Sequence, residues 1–309
     1  MASLEVIRIA TRQSKLALWQ AHFISDQLRA AHPGLRVELH GITTKGDKWL
    51  QAPLSEVGGK GLFVKELEAA MLAGEADIAV HSAKDLPAVL APEFELPVFA
   101  FRAPVHDVLV SPLGDVEALP AGARVGSASL RRQAQLLARR PDLSVRPIRG
   151  NVDTRLAKLA DGEYDAIVLA AAGLQRLGLT VEGVYPMSVE NSLPAPGQGA
   201  LAIECVADSP VVELLSPLQD ARVAACVTAE RGISAGLGAD CSLPVAALAQ
   251  MEDEQINLRA LLASADGQNI LQATASGTQP HRVADAAVAQ LFAQGAAGIL
   301  QQLREAGAE

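Results

Sequence analysis

Residues 4–10, LEVIRIA, carry the apolar, β-branched positions of a strand, and Ser14 then stands where a hydroxyl caps an apolar-periodic helix running to Arg29. After the Pro33-Gly34 turn, residues 35–42 predict a second strand; a helix over about 62–72 leads to a third at 77–81. The order is βαβαβ. It returns downstream as strand 124–126, helix 129–139, strand 145–148, helix 152–159 and strand 165–170. The third strands even open alike, GEADI at 74–78 against GEYDA at 162–166, the mark of a duplicated architecture.

Alternating strands and helices predict parallel sheets, whose ligands sit outside the carboxyl ends of the strands. That rule selects the loops at 11–14, 43–46, 81–85, 127–132, 149–151 and 171–176, nearly all with a cation or a helix-starting hydroxyl. Two crossings, around 97–104 and the Pro/Gly-rich 193–201, join the units and suit a hinged cleft. A helix is expected over 217–235, then strands at 245–249, 255–263 and 269–275 and a helix from about 282 to 303. Three domains follow: α/β over 1–99 with 200–217, α/β over 100–199 carrying the basic loops, and a smaller α+β domain over 218–309. Residues 43–60, rich in Gly, Lys and Thr without periodicity, are expected to form a long loop that acts as a mobile lid.

Composition narrows the function. Half the 309 residues are apolar, enough for substantial cores, yet no stretch approaches the roughly 20 apolar residues of a membrane span. Glu5, Arg8 and Arg12 interrupt the start where a signal peptide is apolar, so a soluble cytoplasmic chain is expected. The net charge is 26 − 35 = −9, but residues 124–158 hold nine Arg or Lys against Asp142 and Asp153, a local +7. An acidic protein with one basic segment is a poor general nucleic-acid binder and a plausible host for a small polyanion.

Ser127-Ala128-Ser129-Leu130-Arg131-Arg132 places hydroxyls and free N–H groups at a helix start, where the dipole favours an anion, and the arginines add forked donors. Arg149 and Arg155 also lie near strand-end loops and are read as anion binders; Arg139 and Arg140, at the helix's other end, fit a solvated surface. Asp85 is the one acid in these loops: either a turn aspartate with a surface ion partner, or a carboxylate stabilising a cation within a basic cleft. Of three cysteines, Cys205 and Cys226 fall in apolar runs and suit a core. Cys241, in the glycine-flanked 236–244 loop, is either buried beneath that loop or an exposed nucleophile or attachment point. Neither a P-loop nor a dinucleotide fingerprint is present, and no metal is assigned.

Taken in order, TRQS at 11–14 with ALWQ at 17–20, GGKGLF at 58–63, HSAKDLP at 81–87, SLRR at 129–132, RGNVDTR at 149–155, AAGL at 171–174 and PAPGQG at 194–199 resemble the porphobilinogen deaminase family. The resemblance implies a monomeric cytoplasmic transferase with no nucleic-acid or membrane partner. Its lobes look like those of solute-binding proteins. Such an enzyme deaminates and couples four porphobilinogen molecules head to tail on a dipyrromethane cofactor, then releases hydroxymethylbilane with water for haem synthesis. By motif position it makes Cys241 the thioether attachment point and Asp85 the catalytic carboxylate. Arg12, Ser14, Gln20, Lys84, Ser129, Arg131, Arg132, Arg149, Arg155, Arg176 and Gln198 would hold cofactor or substrate, and Lys60 would belong to the lid. Ala239-Asp240 stand where the family usually has two glycines. A competing reading is a non-catalytic two-lobed binder of a small polycarboxylate, which gives Cys241 no task.

Overall fold

A computed structural model of the chain describes residues 5–44, 64–239 and 243–306; Lys60, Cys241 and most of the expected lid lie outside these. Three sheets organise the described residues. The first joins β1 (Val6–Arg12), β2 (Arg36–Ile42), β3 (Ile78–Ser82), β4 (Phe94–Arg102) and β10 (Ala200–Val206) in the order β2-β1-β3-β10-β4. The second joins β5 (Asp107–Val110), β6 (Arg124–Gly126), β7 (Ser144–Arg146), β8 (Ala166–Ala170) and β9 (Val184–Pro186) as β7-β6-β8-β5-β9. The two orders are one pattern used twice.

Neither sheet is wholly parallel, contrary to the expectation from alternation. β1 pairs parallel with β2 and β3, but β10 runs antiparallel between β3 and β4, and β5 likewise between β8 and β9. Each reversed strand is the first that a crossing delivers from the other lobe, so it enters the sheet from the opposite end. Pro97 and Pro186 hide β4 and β9 from pattern reading; both strands lie at sheet edges, where a missing N–H is tolerated.

Helix starts follow their caps. Ser14 Oγ accepts from Ala17 N–H at 3.3 Å to begin α1 (Lys15–Ala31), which buries Ala21, Ile24 and Leu28 against Ile7, Ile9 and Ile203 of the first core. Burying each large aliphatic side chain stabilises the lobe by about 1.5–3 kcal/mol. Next come α2 (Lys65–Leu72), α3 (Leu130–Arg139), α4 (Val152–Ala160) and α5 (Ala171–Arg176). The helix expected over 217–235 is α7 (Ala221–Gly236), which starts four residues later because Pro217 sits in a 3-10 turn and Asp220 caps the start; a short helix that was not expected, α6 (Val211–Leu215), precedes that turn.

The third sheet is the antiparallel meander β11 (Val245–Glu252), β12 (Gln255–Ala263) and β13 (Ile270–Gly277). The last expected helix breaks at Gly295, φ +103°, into α8 (Pro280–Ala293) and α9 (Ala296–Ala306), bent by 82°. With α7, these helices cover one face of the sheet around Ile233, Leu258, Leu262 and Leu291. Among the described residues no single helix is long and apolar enough to cross a membrane.

Candidate active site at the meeting of three sheets

Strand β3 ends at Ser82 and the chain makes one 3-10 turn, Ala83–Asp85, before Leu86-Pro87. The turn is held from both sides. Gly197, φ +75°, packs so closely that an added Cβ would sit 3.0 Å from Ala83 Cβ and 3.2 Å from Lys84 N. Arg231 of α7 donates to Pro87 O at 2.8 Å and Ala88 O at 3.2 Å. Lys84 Nζ donates to Gln198 Oε1 at 3.4 Å. Burial, reinforced by Arg132 and Arg131 and opposed by Asp85 and Asp107, pushes the Lys84 ammonium down to about 8.

Beside this turn lies a buried carboxylate that the sequence reading missed. Asp107, at the start of β5 and fully buried, accepts from Arg131 at 2.8 Å, Arg132 at 2.7 Å and Gln198 Nε2 at 2.9 Å. Burial opposes its charge, but the two guanidiniums outweigh that and hold the carboxyl well below the usual range. Arg131 also donates to Leu193 O and Arg132 to Val168 O, so the terminal nitrogens of both expected ligands are already engaged. Among the described residues their Nε atoms, and that of Arg176, are buried without a partner. Ser127 Oγ, not Ser129, receives the N–H at the start of α3, 3.2 Å from Ser129 N, and Ser129 makes no side-chain cap bond.

Two cavities flank Asp85. The first is lined by Lys84, Asp85, Ser129, Arg131, Arg132, Arg155, Gln198 and Arg231, with Ala239 and Leu243 from the third sheet's side. The second is lined by Arg12, Ser14, Gln20, His81, Ser82 and again Asp85, with Gln20 Nε2 donating to Ser82 Oγ at 2.7 Å. Among the described residues Asp85 alone lines both, and it is exposed. Arg155 is fixed by its own loop, Nε to Gly150 O at 2.8 Å; burial with Arg132 and Arg149 nearby pushes it down to about 10. Arg176, only 6% exposed, donates to Gly199 O at 2.7 Å, and burial lowers it to about 10 against the pull of Asp85. Arg149 and Arg176 line neither cavity.

A second missed acid joins the three sheets. Glu230 of α7, fully buried, contacts Arg102 at 2.8 Å and accepts from Gly197 N at 2.7 Å and Ala249 N at 2.8 Å, so it holds both crossings and β11 together. Its signal was positional: Cys226, Glu230 and Ile233 share one buried helical stripe. Asp107 was detectable as an acid opening the apolar run DVLV. Arg139 pairs with Glu117 at the surface, whereas Arg140, expected to be solvated, is only 16% exposed and donates to Val116 O and Leu119 O besides pairing with Asp142. The thiols of Cys205 and Cys226 are buried, Cys205 pushed up to about 12 by that burial, so neither is a ready nucleophile.

Comparison with known proteins agrees along the chain. Residues 7–213 match the family described as porphobilinogen deaminase, dipyromethane cofactor binding domain, and residues 224–292 match porphobilinogen deaminase, C-terminal domain. The porphobilinogen deaminase of Bordetella parapertussis is 50% identical over 307 residues, 98% of each chain. That of Stenotrophomonas maltophilia is 52% identical over 276 residues, 89% of this chain and 91% of the relative. Among solved structures, the periplasmic VFT2 domain of Bordetella pertussis BvgS overlaps 71% of this chain and 88% of its own, at 18% identity and a TM-score of 0.43. Matched over nearly its full length by curated relatives at half identity, the chain belongs to the porphobilinogen deaminase (hydroxymethylbilane synthase) family of transferases, which use a dipyrromethane cofactor.

Proposed function

We propose that the chain couples four porphobilinogen molecules head to tail on a dipyrromethane held as a thioether by Cys241, with Asp85 as the catalytic carboxylate, and releases hydroxymethylbilane with water. One observation carries this reading: Asp85 is shared by a strongly cationic cavity and a second, smaller one. Five cationic side chains line the first, Lys84, Arg131, Arg132, Arg155 and Arg231, against Asp85, with Asp107 behind, an excess of 5 − 2 = +3. Pyrroles bearing acetate and propionate groups match that excess. Ala239 and Leu243 both line this cavity, and Cys241 is two residues from each.

The residues present fit the cofactor, since among the described residues the buried guanidinium Nε atoms of Arg131 and Arg132 lack partners and the lining donors suit carboxylates. When bound, the dipyrromethane supplies the pyrrole carbon to which the first substrate joins. Lys84, Ser129, Arg131 and Arg132 anchor its carboxylates; Arg12, Ser14, Gln20, Arg149, Arg155 and Arg176 take those of the substrate. Gln198 acts mainly as the link from Lys84 to Asp107. Asp85 accepts the pyrrole N–H of the substrate and stabilises the positive charge left when ammonia departs from the aminomethyl carbon. No other acid lines either cavity among the described residues.

The same reading divides the chain into the three domains of the sequence analysis and makes it a cytoplasmic monomer acting on a small molecule, its basic segment engaged with Asp107 and the cavity rather than with nucleic acid or a membrane. Intact-mass measurement with peptide mapping tests it. Protein carrying its cofactor is heavier than the sequence mass, with the increment on the peptide containing Cys241. Active protein without the increment, or an adduct on Cys205 or Cys226, overturns the attachment; failure of the chain to consume porphobilinogen leaves the polycarboxylate binder.

A further inference from the structure

Lys15 and Trp19 stand one turn apart on α1 and so share one edge of the helix. Both reach the second lobe. Lys15 Nζ donates to Asp153 Oδ2, in the first turn of α4, at 2.7 Å, with the side chains 76% and 39% exposed. The Trp19 ring lies 5.6 Å from the guanidinium carbon of Arg176, the last residue of α5. That ring is itself held in place, stacked on Phe23 at 5.3 Å, and Phe23 packs against Phe101 at 5.2 Å. Among the described residues Arg176 donates one hydrogen bond, to Gly199 O, and its Nε makes none. The indole face thus lies within cation–π range of a guanidinium whose donors all lie in one plane.

We propose that Trp19 is a positioning residue that orients Arg176 for a substrate carboxylate, and that Lys15 completes with it a clasp between the two α/β lobes. The proposal rests on the reading of Arg176 as a substrate-binding residue. Holding the guanidinium against the first lobe bears on its distance from the cavity that Asp85 shares, and the Lys15–Asp153 pair adds a weak contact between α1 and α4. An exposed ion pair is weak and salt-sensitive, so this half of the clasp is readily reversible.

KM and kcat for porphobilinogen, measured on cofactor-loaded protein, test this. Trp19→Leu is expected to raise KM about three- to tenfold, with Trp19→Phe keeping most of the parent value. Trp19→Leu/Arg176→Leu is expected to be no worse than Arg176→Leu, because the ring acts through the guanidinium; a merely structural tryptophan would add its full effect. Lys15→Glu sets like charges together and is expected to raise KM about threefold at low salt, while Lys15→Glu/Asp153→Lys restores it. An unchanged KM in Arg176→Leu defeats the reading of Arg176 and takes the clasp with it. A raised KM there, alongside a Trp19→Leu effect that is absent or fully additive, overturns Trp19 as the positioning residue alone. Failure of the charge swap to restore KM removes Lys15 from the clasp.

Discussion

Asp107 Oδ2 lies 2.8 Å from Arg131 Nη2, with the two side chains 0% and 4% exposed. The same carboxylate takes Arg132, Gln198 and Ser192, tying the start of α3 to β5 and to the second crossing. Removing one partner of such a buried pair leaves an uncompensated charge and costs about 3–5 kcal/mol. Asp107→Ala is expected to lower stability by that amount in urea unfolding at pH 7. The sign with pH follows from its depressed carboxyl: the stabilisation is complete above the ordinary carboxylate range and is lost as pH falls toward its own, lower value. A midpoint unchanged from the parent would make the cluster incidental to folding.

The duplicated lobes were legible because their signature is local. In the first, Arg8 donates through its backbone N–H, Nε and Nη2 to Asp77 at 2.7, 3.0 and 2.8 Å; in the second, Arg124 donates to Asp165 through the same three groups at the same distances. The glycines opening the two motifs, Gly74 and Gly162, turn with φ +69° and +73°, and each offers its carbonyl to the same arginine. What pattern reading could not supply was distance along the chain. β10 enters the first sheet only after the whole second lobe, and Glu230 meets Arg102 across 128 positions. Loop logic found Arg131 and Arg132 near the cavity, but which of their donors are engaged depends on Asp107, reached through tertiary folding alone.

Lys84 predicts a pH dependence of substrate capture. With its ammonium pushed down to about 8 by burial, it is charged at neutral pH and loses that charge as pH rises through about 8. KM of the parent should therefore climb from pH 7.5 to 9.5 more steeply than that of Lys84→Arg, whose guanidinium stays charged throughout. The stability trend has the opposite sign: burial disfavours the protonated form, a penalty present below about 8 and relieved as pH rises toward the ordinary lysine range. Lys84→Met should stabilise the fold more at pH 7 than at pH 9.5. Parallel KM profiles for the parent and Lys84→Arg would show that Lys84 does not draw the carboxylates in.

Asp85 carries the sharpest prediction, because the two cavities meet at its side chain and the surrounding charge is otherwise positive. A carboxylate there opposes the cationic lining only by being an anion, so its charge should matter more than its shape. Asp85→Asn keeps the size and one acceptor oxygen and removes the charge; Asp85→Glu keeps the charge and moves it by one methylene. Preorganised electrostatic groups are worth about 10²- to 10³-fold in rate. Asp85→Glu should retain weak turnover, and Asp85→Asn should fall by at least about 10²-fold, on the scale of losing such a group. Both should fold as the parent does, because Asp85 is exposed, and the turn that bears it is held through Gly197 and Arg231 rather than through its carboxylate. Porphobilinogen consumption by folded, cofactor-loaded variants decides the matter. Turnover by Asp85→Asn close to that of the parent would return Asp85 to an ordinary turn residue and move the chemistry elsewhere in the cleft.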